Sequence, residues 1–278
     1  NSSLTIMYQY LSSLYFDGSG KQPWSQAERV SIICPVPGFD RHFKLCEMFG
    51  MNMISVPLTG SGPDMDQVED LIKKDSSIKG IWCVPKYSNP TGTTYSETAV
   101  KRFSMLPKIS GDNFRIMWDN AYAVHHLSDA PDQLANLMAL ARHHDTNDSM
   151  VLFGSTSKVT FAGAGISFLG TSREKLGEFE QHLSETMIGF DKVNQLRHVL
   201  FLKDMSGIAR HMARHAALLK PRFALTEKIL SKYLAGKRIG EWSRPNGGYF
   251  VSFDAIPGQA KEIITLAANV GVRLTPAG

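Results

Sequence analysis

Short apolar runs rich in β-branched residues alternate with helical patterns along most of this chain. This alternation predicts an α/β class of fold, with helices layered on a mostly parallel sheet. The predicted strands are Val30–Cys34, Met53–Val56, Ile78–Val84, Phe114–Trp118, Met150–Phe153 and Ile166–Gly170. The predicted helices are Ser3–Tyr15, Asp40–Phe49, Asp64–Lys74, Ser96–Met105, Asp132–Arg142 and Arg173–Glu185.

The pattern changes near residue 203. Residues 203–234 are typical of one long helix, in which a kink is expected at Pro221. A hairpin-like strand region at 242–253 and a helix at 260–270 follow it. A hairpin and a helix after a long connecting helix indicate a separate, smaller α+β unit.

We therefore predict a large domain at residues 1–203. Residues 204–278 would form the connecting helix and part of a smaller C-terminal domain. Both ends look cut, because Asn1-Ser2-Ser3 already begins a helix and residues 271–278 read as a strand running into a turn. We expect the sequence to be the middle of a longer protein.

The composition argues against several classes of function. A formal net charge of +4 is small for 278 residues, and the basic residues are spread along the chain, so we predict no nucleic-acid or membrane partner. Cys34, Cys46 and Cys83 are odd in number and form no CxxC pair, which argues against a disulfide framework and indicates a reducing, cytoplasmic location. Adjacent histidines at 125–126 would point apart, so we predict no metal site.

Lys158 follows a predicted strand in the run Gly154-Ser155-Thr156-Ser157-Lys158. Small hydroxyl residues just after a strand suit an anion-binding turn, where backbone N–H groups and serine hydroxyls meet a phosphate. A lysine at this place could form a Schiff base with an aldehyde cofactor. Taken alone, so short a motif favours a surface lysine in a Ser/Thr loop.

Two further polar groups follow predicted strands. Asp119 comes directly after Phe114–Trp118, at the end of a strand where open α/β sheets bind ligands, and Tyr122 can reach the same place. The alternatives are a helix N-cap for Asp119 and a packed ring for Tyr122. Asn89-Pro90-Thr91-Gly92 forms a tight turn that can aim the Asn89 amide over the sheet edge, although a simple turn is the alternative.

These three segments together resemble the fold-type I pyridoxal-5'-phosphate (PLP) aminotransferases, the aspartate aminotransferase superfamily, in order and approximate spacing. The segment Pro245–Phe250 is similar to the Gly-Gly-aromatic strand of that superfamily. The longer stretches Gly80–Gly92, Trp118–Leu127 and Gly154–Lys158 resemble one bacterial branch, the MocR-like aspartate aminotransferases. The resemblance implies the PLP-dependent transferase fold of type I, and a homodimeric enzyme that moves an amino group between aspartate and 2-oxoglutarate.

The resemblance also implies roles for individual residues. Lys158 would form the Schiff base and carry the proton, and Asp119 would hold the pyridine nitrogen protonated. Tyr122 and Asn89 would hydrogen-bond the phenolic oxygen of the cofactor. Two alternatives on the same scaffold stay open: a PLP-dependent lyase, and the effector domain of a PLP-sensing transcription regulator.

The phosphate subsite departs from the family pattern. Ser155 and the helix start Asn1-Ser2-Ser3 would bind the phosphate, and Phe39 would stack on the pyridine ring unless it is a core residue. Gly165 stands where the superfamily usually has an arginine. Asp191–Arg197 is a candidate source of the missing cation across a dimer, although a solvated helical face is favoured. The arginine that binds the substrate carboxylate is expected beyond residue 278.

Overall fold

A computed structural model describes residues 2–110 and 113–275 of the chain. Seven strands form its main sheet. They are β1 (Ser31–Val36), β2 (Asn52–Thr59), β3 (Gly62–Pro63), β4 (Ile78–Cys83), β5 (Arg115–Asp119), β6 (Met150–Ser155) and β7 (Ser167–Gly170). Their order across the sheet is β3-β2-β1-β4-β5-β6-β7.

The sheet is mostly parallel, as the sequence predicted. Strands β2, β1, β4, β5 and β6 run in one direction, while β3 and β7 pair antiparallel at the two edges. Each of the six predicted strands overlaps an observed one. Strand β3 was not predicted, because two residues that include a proline have no recognisable period.

The described helices surround this sheet. They are α1 (Ser3–Ser12), α2 (Asp40–Met48), α3 (Met65–Lys74), α4 (Glu97–Met105), α5 (Pro107–Ser110), α6 (Leu137–His143), α7 (Arg173–Thr186), α8 (Lys192–Leu202), α9 (Met205–Leu234) and α10 (Ala260–Asn269). Asp64 caps α3 by accepting hydrogen bonds from the N–H groups of Asp66 and Gln67. Within the described residues, no helix is both long and apolar enough to cross a bilayer.

Two predictions about local structure were wrong. Helix α6 begins at Leu137 rather than Asp132, because Asn136 accepts a hydrogen bond from Ala139 N–H and caps the helix there. Asp132 instead accepts a hydrogen bond from the Asn246 amide at 2.9 Å. The segment after Gly271 forms no strand within the described residues.

Two apolar cores cover the two faces of the sheet. In β5, Ile116 and Trp118 point into the core beneath α3, α4 and α6, whereas Met117 points into the core beneath α1, α2 and α7. Side chains alternate along a strand, so Asp119 belongs to the second face, next to α2. This alternation decides which helix the carboxylate meets.

The C-terminal part begins with the 30-residue helix α9, which continues through Pro221. Beyond it, β8 (Gly240–Trp242) pairs antiparallel with β9 (Phe253–Ala255), so the predicted hairpin is present with its strands at the two ends of the predicted region. The connecting segment packs on the larger part: Gly248 N–H donates to the His125 carbonyl at 2.9 Å. The boundary near residue 203 stays a prediction.

Candidate active site

Parallel pairing brings the predicted site residues to one edge of the sheet. Cys83 lies opposite Trp118 and Asp119 lies opposite Phe153, so β4, β5 and β6 end side by side. The loops that carry Asn89, Tyr122 and Lys158 start from these three strand ends. The site is therefore assembled from segments that are distant in the sequence.

Asp119 is 2% exposed and has two hydrogen-bond donors. Its Oδ1 accepts from Ala121 N–H at 3.1 Å, and its Oδ2 lies 3.2 Å from His42 Nε2. A carboxylate only accepts, so His42 Nε2 donates. Residues 121–124 form a turn, so Asp119 caps no helix in this structure.

His42 was missed by the sequence analysis. Its ring stacks on Trp82 with centroids 4.2 Å apart and planes 10° apart, and it contacts the ring of Phe39 edge-on at 5.0 Å. Phe39 and His42 stand three residues apart at the start of α2, a spacing that puts both on one helix face. This spacing from Phe39 was the sequence signal that could have identified His42 as a site residue.

Lys158 lies in a turn after β6 and is half-buried. Its Nζ lies 4.8 Å from the ring centroid of Tyr122 and 5.8 Å from that of Phe39. Burial lowers the pKa of Lys158, while the negative charge of Asp119 opposes this shift. A lowered pKa favours the neutral amine, which is the form that attacks a carbonyl carbon.

Tyr122 is 2% exposed, and the side chain of Asn89 lies close enough to its hydroxyl to affect its pKa. Burial raises the pKa of Tyr122, the charge of Asp119 raises it further, and the nearby Asn89 side chain lowers it in part. The side chain is therefore a phenol that can donate a hydrogen bond. Asn89 and Tyr122 therefore lie close together at this edge of the sheet.

Hydroxyl and N–H groups suited to an anion lie nearby. Ser155 Oγ is 2.8 Å from Ser157 Oγ and accepts a hydrogen bond from Ser157 N–H at 3.0 Å. Ser2 caps α1, which packs on β6 and β7, and Ser3 is the first helical residue. Free N–H groups in the first turn of a helix bind phosphate. The predicted Asn1 lies outside the described residues.

No side chain fits at Gly165. A Cβ atom there would lie 2.6 Å from Ser157 Oγ and 2.7 Å from Ser157 N, far inside van der Waals contact. Asn194 of α8 holds this loop by donating to the Ala164 carbonyl at 2.9 Å. The arginine expected from the family pattern is therefore excluded by packing, and the α8 residues Lys192 and Arg197 are exposed.

The groups of this site suit a phosphorylated pyridine aldehyde. They comprise an amine with a lowered pKa, a buried carboxylate, a phenol, an aromatic face and a pair of hydroxyls. An amine can bind an aldehyde covalently, a carboxylate can pair with a pyridinium, and hydroxyls can bind phosphate. Within residues 2–110 and 113–275, no cluster of three or more metal-ligating side chains occurs.

Comparison with known proteins gives consistent matches over the whole chain. The aspartate aminotransferase of Corynebacterium glutamicum is 45% identical over 279 residues, covering 100% of this chain and 64% of that protein. The crystal structure of an aspartate transaminase from the same organism superposes with a TM-score of 0.95 at 44% identity, covering 100% of this chain and 65% of that one. LysN of Thermus thermophilus, an α-aminoadipate aminotransferase, shares the fold with a TM-score of 0.82 at 21% identity, covering 100% of this chain and 66% of that one.

The chain spans 64–65% of the length of two curated relatives that are each 45% identical to it. A family model described as Aspartate amino-transferase matches residues 1–278, which is the whole of the sequence. The strand order, the parallel sheet and these matches lead to one conclusion. This chain belongs to the aspartate aminotransferase family and has the fold of the type I PLP-dependent transferases.

Proposed function

We propose that the full-length protein is a PLP-dependent aminotransferase that moves an amino group between aspartate and the 2-oxo acid 2-oxoglutarate. The observation that carries this proposal is the half-buried amine of Lys158, which faces Tyr122 and Phe39 within electrostatic reach of Asp119. The name of the C. glutamicum relative supports aspartate as substrate. LysN, solved with N-(5'-phosphopyridoxyl)-L-leucine, supports the cofactor.

When bound, PLP supplies an aldehyde that condenses with amines and a pyridine ring that takes up an electron pair. Lys158 would hold the cofactor and carry a proton at Nζ, because burial favours its neutral form. Asp119 would keep a proton on the ring nitrogen, since an adjacent negative charge favours the charged ring. His42 keeps this carboxylate in place through Oδ2, and Trp82 keeps His42 in place.

The other predicted residues would orient the cofactor. Tyr122 and Asn89 would donate hydrogen bonds to its phenolic oxygen, and Phe39 would cover its ring face. Ser155 would bind the phosphate together with the start of α1. The C-terminal end of α1, at Tyr10, lies near Arg115 at the start of β5. The N-terminal end of α1 therefore points toward the edge of the sheet where β4, β5 and β6 end. That orientation supports a phosphate site at Ser2 and Ser3.

We also propose a cytoplasmic location. Cys34, Cys46 and Cys83 are all free and buried. The thiols of Cys34 and Cys46 are close enough to shift each other's pKa, raising that of Cys34 and lowering that of Cys46. Thiols remain reduced in the cytosol, which supports this location.

Lys158 should be the residue that carries the cofactor. Borohydride reduction of the full-length protein loaded with PLP, followed by peptide mapping, should place the pyridoxyl group on Lys158. Lys175 is an internal control, because it is 6% exposed but its amine is held by Glu178 at 2.8 Å. Lys158→Ala should lose about 10²–10⁴-fold in kcat. A label on Lys175, or on any lysine other than Lys158, would refute the assignment.

Aspartate should act as the amino donor. Adding aspartate to the loaded full-length enzyme should change the absorbance of the cofactor and release oxaloacetate, and 2-oxoglutarate should then restore the starting spectrum. Alanine and lysine serve as comparison amino acids and should react more slowly. Release of ammonia in place of a recoverable amino group would indicate a lyase instead. A spectrum unchanged by every amino acid would rule out the enzymatic proposal.

Replacing Asp119 should separate charge from shape. Asp119→Asn keeps the shape and the hydrogen bond from Ala121, but removes the charge that stabilises the protonated ring. We expect the variant to bind PLP and to lose on the order of a hundredfold in kcat, about 3 kcal/mol of barrier, with a smaller effect on KM. Asp119→Glu should lose less, because the charge survives. Near-normal turnover of Asp119→Asn would remove this carboxylate from the mechanism.

We further propose that the protein is a homodimer, with α8 at the contact. The segment from Ile188 to Met205 exposes a row of large apolar side chains, each more than half exposed. They are Ile188, Phe190, Val193, Leu196, Val199, Leu200, Phe201 and Met205. Monomeric proteins rarely leave so continuous an apolar patch in water. The patch adjoins the candidate site, since His198 of α8 bonds the Thr160 hydroxyl at 2.8 Å.

The dimer proposal predicts an effect of charge on α8. The full-length protein should sediment as a dimer at micromolar concentration, and the double variant Leu196→Asp/Leu200→Asp should dissociate, because it places two charges on one face of the helix. Leu218→Asp on α9, where the wild-type side chain is 69% exposed, is the matched control and should stay dimeric. A monomeric wild type, or a double variant that remains dimeric, contradicts this contact.

A further inference from the structure

The backbone carbonyl of Lys158 accepts two hydrogen bonds from distant parts of the chain. His125 Nε2 lies 3.1 Å from this oxygen, and the Tyr249 hydroxyl lies 2.9 Å from it. His125 belongs to the loop after β5, and Tyr249 belongs to the segment between β8 and β9. Because a carbonyl oxygen only accepts, both side chains donate.

Both donors keep their hydrogen at neutral pH. Burial lowers the pKa of His125 to about 4, so the ring is neutral, and its single N–H is on Nε2, the atom that faces the carbonyl. Burial raises the pKa of Tyr249, so its side chain remains a phenol. The rings of His125 and Tyr249 also contact each other edge-on, with centroids 5.0 Å apart.

The turn that carries Lys158 also contains hydrogen bonds between its own backbone groups. The N–H groups of Val159 and Thr160 both donate to the Thr156 carbonyl at 2.8 Å. These internal bonds determine the shape of the turn but not its position relative to Tyr122 and Phe39. Bonds from outside the turn contribute to that position. Besides His125 and Tyr249, His211 of α9 donates from Nε2 to the Val159 carbonyl at 2.7 Å, and His198 of α8 bonds the Thr160 hydroxyl at 2.8 Å.

We propose that His125 and Tyr249 are positioning residues for Lys158: they hold its backbone carbonyl and thereby keep its amine at the rings of Tyr122 and Phe39. The inference rests on the proposed function, in which Lys158 carries the cofactor. In this role neither residue needs to touch the reacting atoms. Tyr249 also connects the position of the lysine to the segment that follows the long helix, because its hydroxyl bonds the Lys158 carbonyl. Its ring lies 6.1 Å from that of Tyr122.

The test uses the full-length protein and removes one donor at a time. Tyr249→Phe deletes only the hydroxyl, and His125→Leu deletes the N–H donor. His125→Gln places an amide N–H near the original Nε2 and should recover most of what His125→Leu loses. Tyr233→Phe is the matched control, because Tyr233 lies on α9 and is 53% exposed.

Two readouts separate positioning from general destabilisation. The first is the split between kcat and KM with aspartate: loss of one hydrogen bond should lower kcat by about two- to tenfold and leave KM within about twofold. The second is the pH midpoint for trace labelling of Lys158 by acetic anhydride in the cofactor-free protein. A released lysine becomes more hydrated, so its midpoint should rise in Tyr249→Phe and His125→Leu and stay unchanged in Tyr233→Phe.

An unchanged labelling midpoint in both Tyr249→Phe and His125→Leu would overturn the inference. If His125→Leu does not fold, Tyr249→Phe decides, because it keeps the ring and its packing. A wild-type protein that neither binds PLP nor transaminates would defeat the proposed function instead. The labelling midpoint still decides the positioning roles in that case, since it is measured without cofactor.

Discussion

Parallel pairing of β4, β5 and β6 is the constraint on which the rest of the site depends. Strands that run in one direction must all end at the same edge, so the loops after them are brought together whatever their distance along the chain. The register then sets the details, because Asp119 stands opposite Phe153, which comes only two residues before Ser155. A sheet with β5 reversed would put the carboxylate and the lysine at opposite ends.

Burial acts differently on the two charged groups at this edge. Asp119 is almost inaccessible to water, and an unpaired charge there would cost several kcal/mol, but His42 and Ala121 N–H supply hydrogen bonds that offset the loss of hydration. The amine of Lys158 faces aromatic rings, so burial lowers its pKa. The result is a hydrogen-bonded carboxylate within electrostatic reach of a half-buried amine whose pKa is lowered.

Packing also explains the departure from the family pattern at Gly165. The loop after Lys158 passes so close to Ser157 that no Cβ is tolerated, and α8 holds the loop carbonyl in that position through Asn194. A cation for the phosphate therefore cannot come from residue 165. The close approach leaves the serine hydroxyls and backbone N–H groups on this side of the site, which are the groups we propose for the phosphate, and α8 exposes large apolar side chains.

The sequence by itself determined the class of fold and the candidates for the site. Strand and helix periods are local properties, and strand ends can be read from where an apolar run stops, so Asp119, Lys158 and Asn89 were recognisable as residues at strand ends. The family resemblance then assigned their roles. Local patterns were less reliable where a tertiary contact competes with local structure. At Asp132, where a helix was predicted to begin, the carboxylate accepts a hydrogen bond from Asn246 instead.

Only the tertiary structure showed how these residues are supported. No motif shows the hydrogen bonds that His42, His125 and Tyr249 make, because the partner of each lies far away in the sequence: 77 residues for His42 with Asp119 and 91 for Tyr249 with Lys158. Periodicity cannot report such pairs, because it measures the face on which a residue lies and not the group across from it. Hydrogen bonds to Asp119 and to the Lys158 carbonyl exist only once the sheet, α2 and the segment after α9 have packed together.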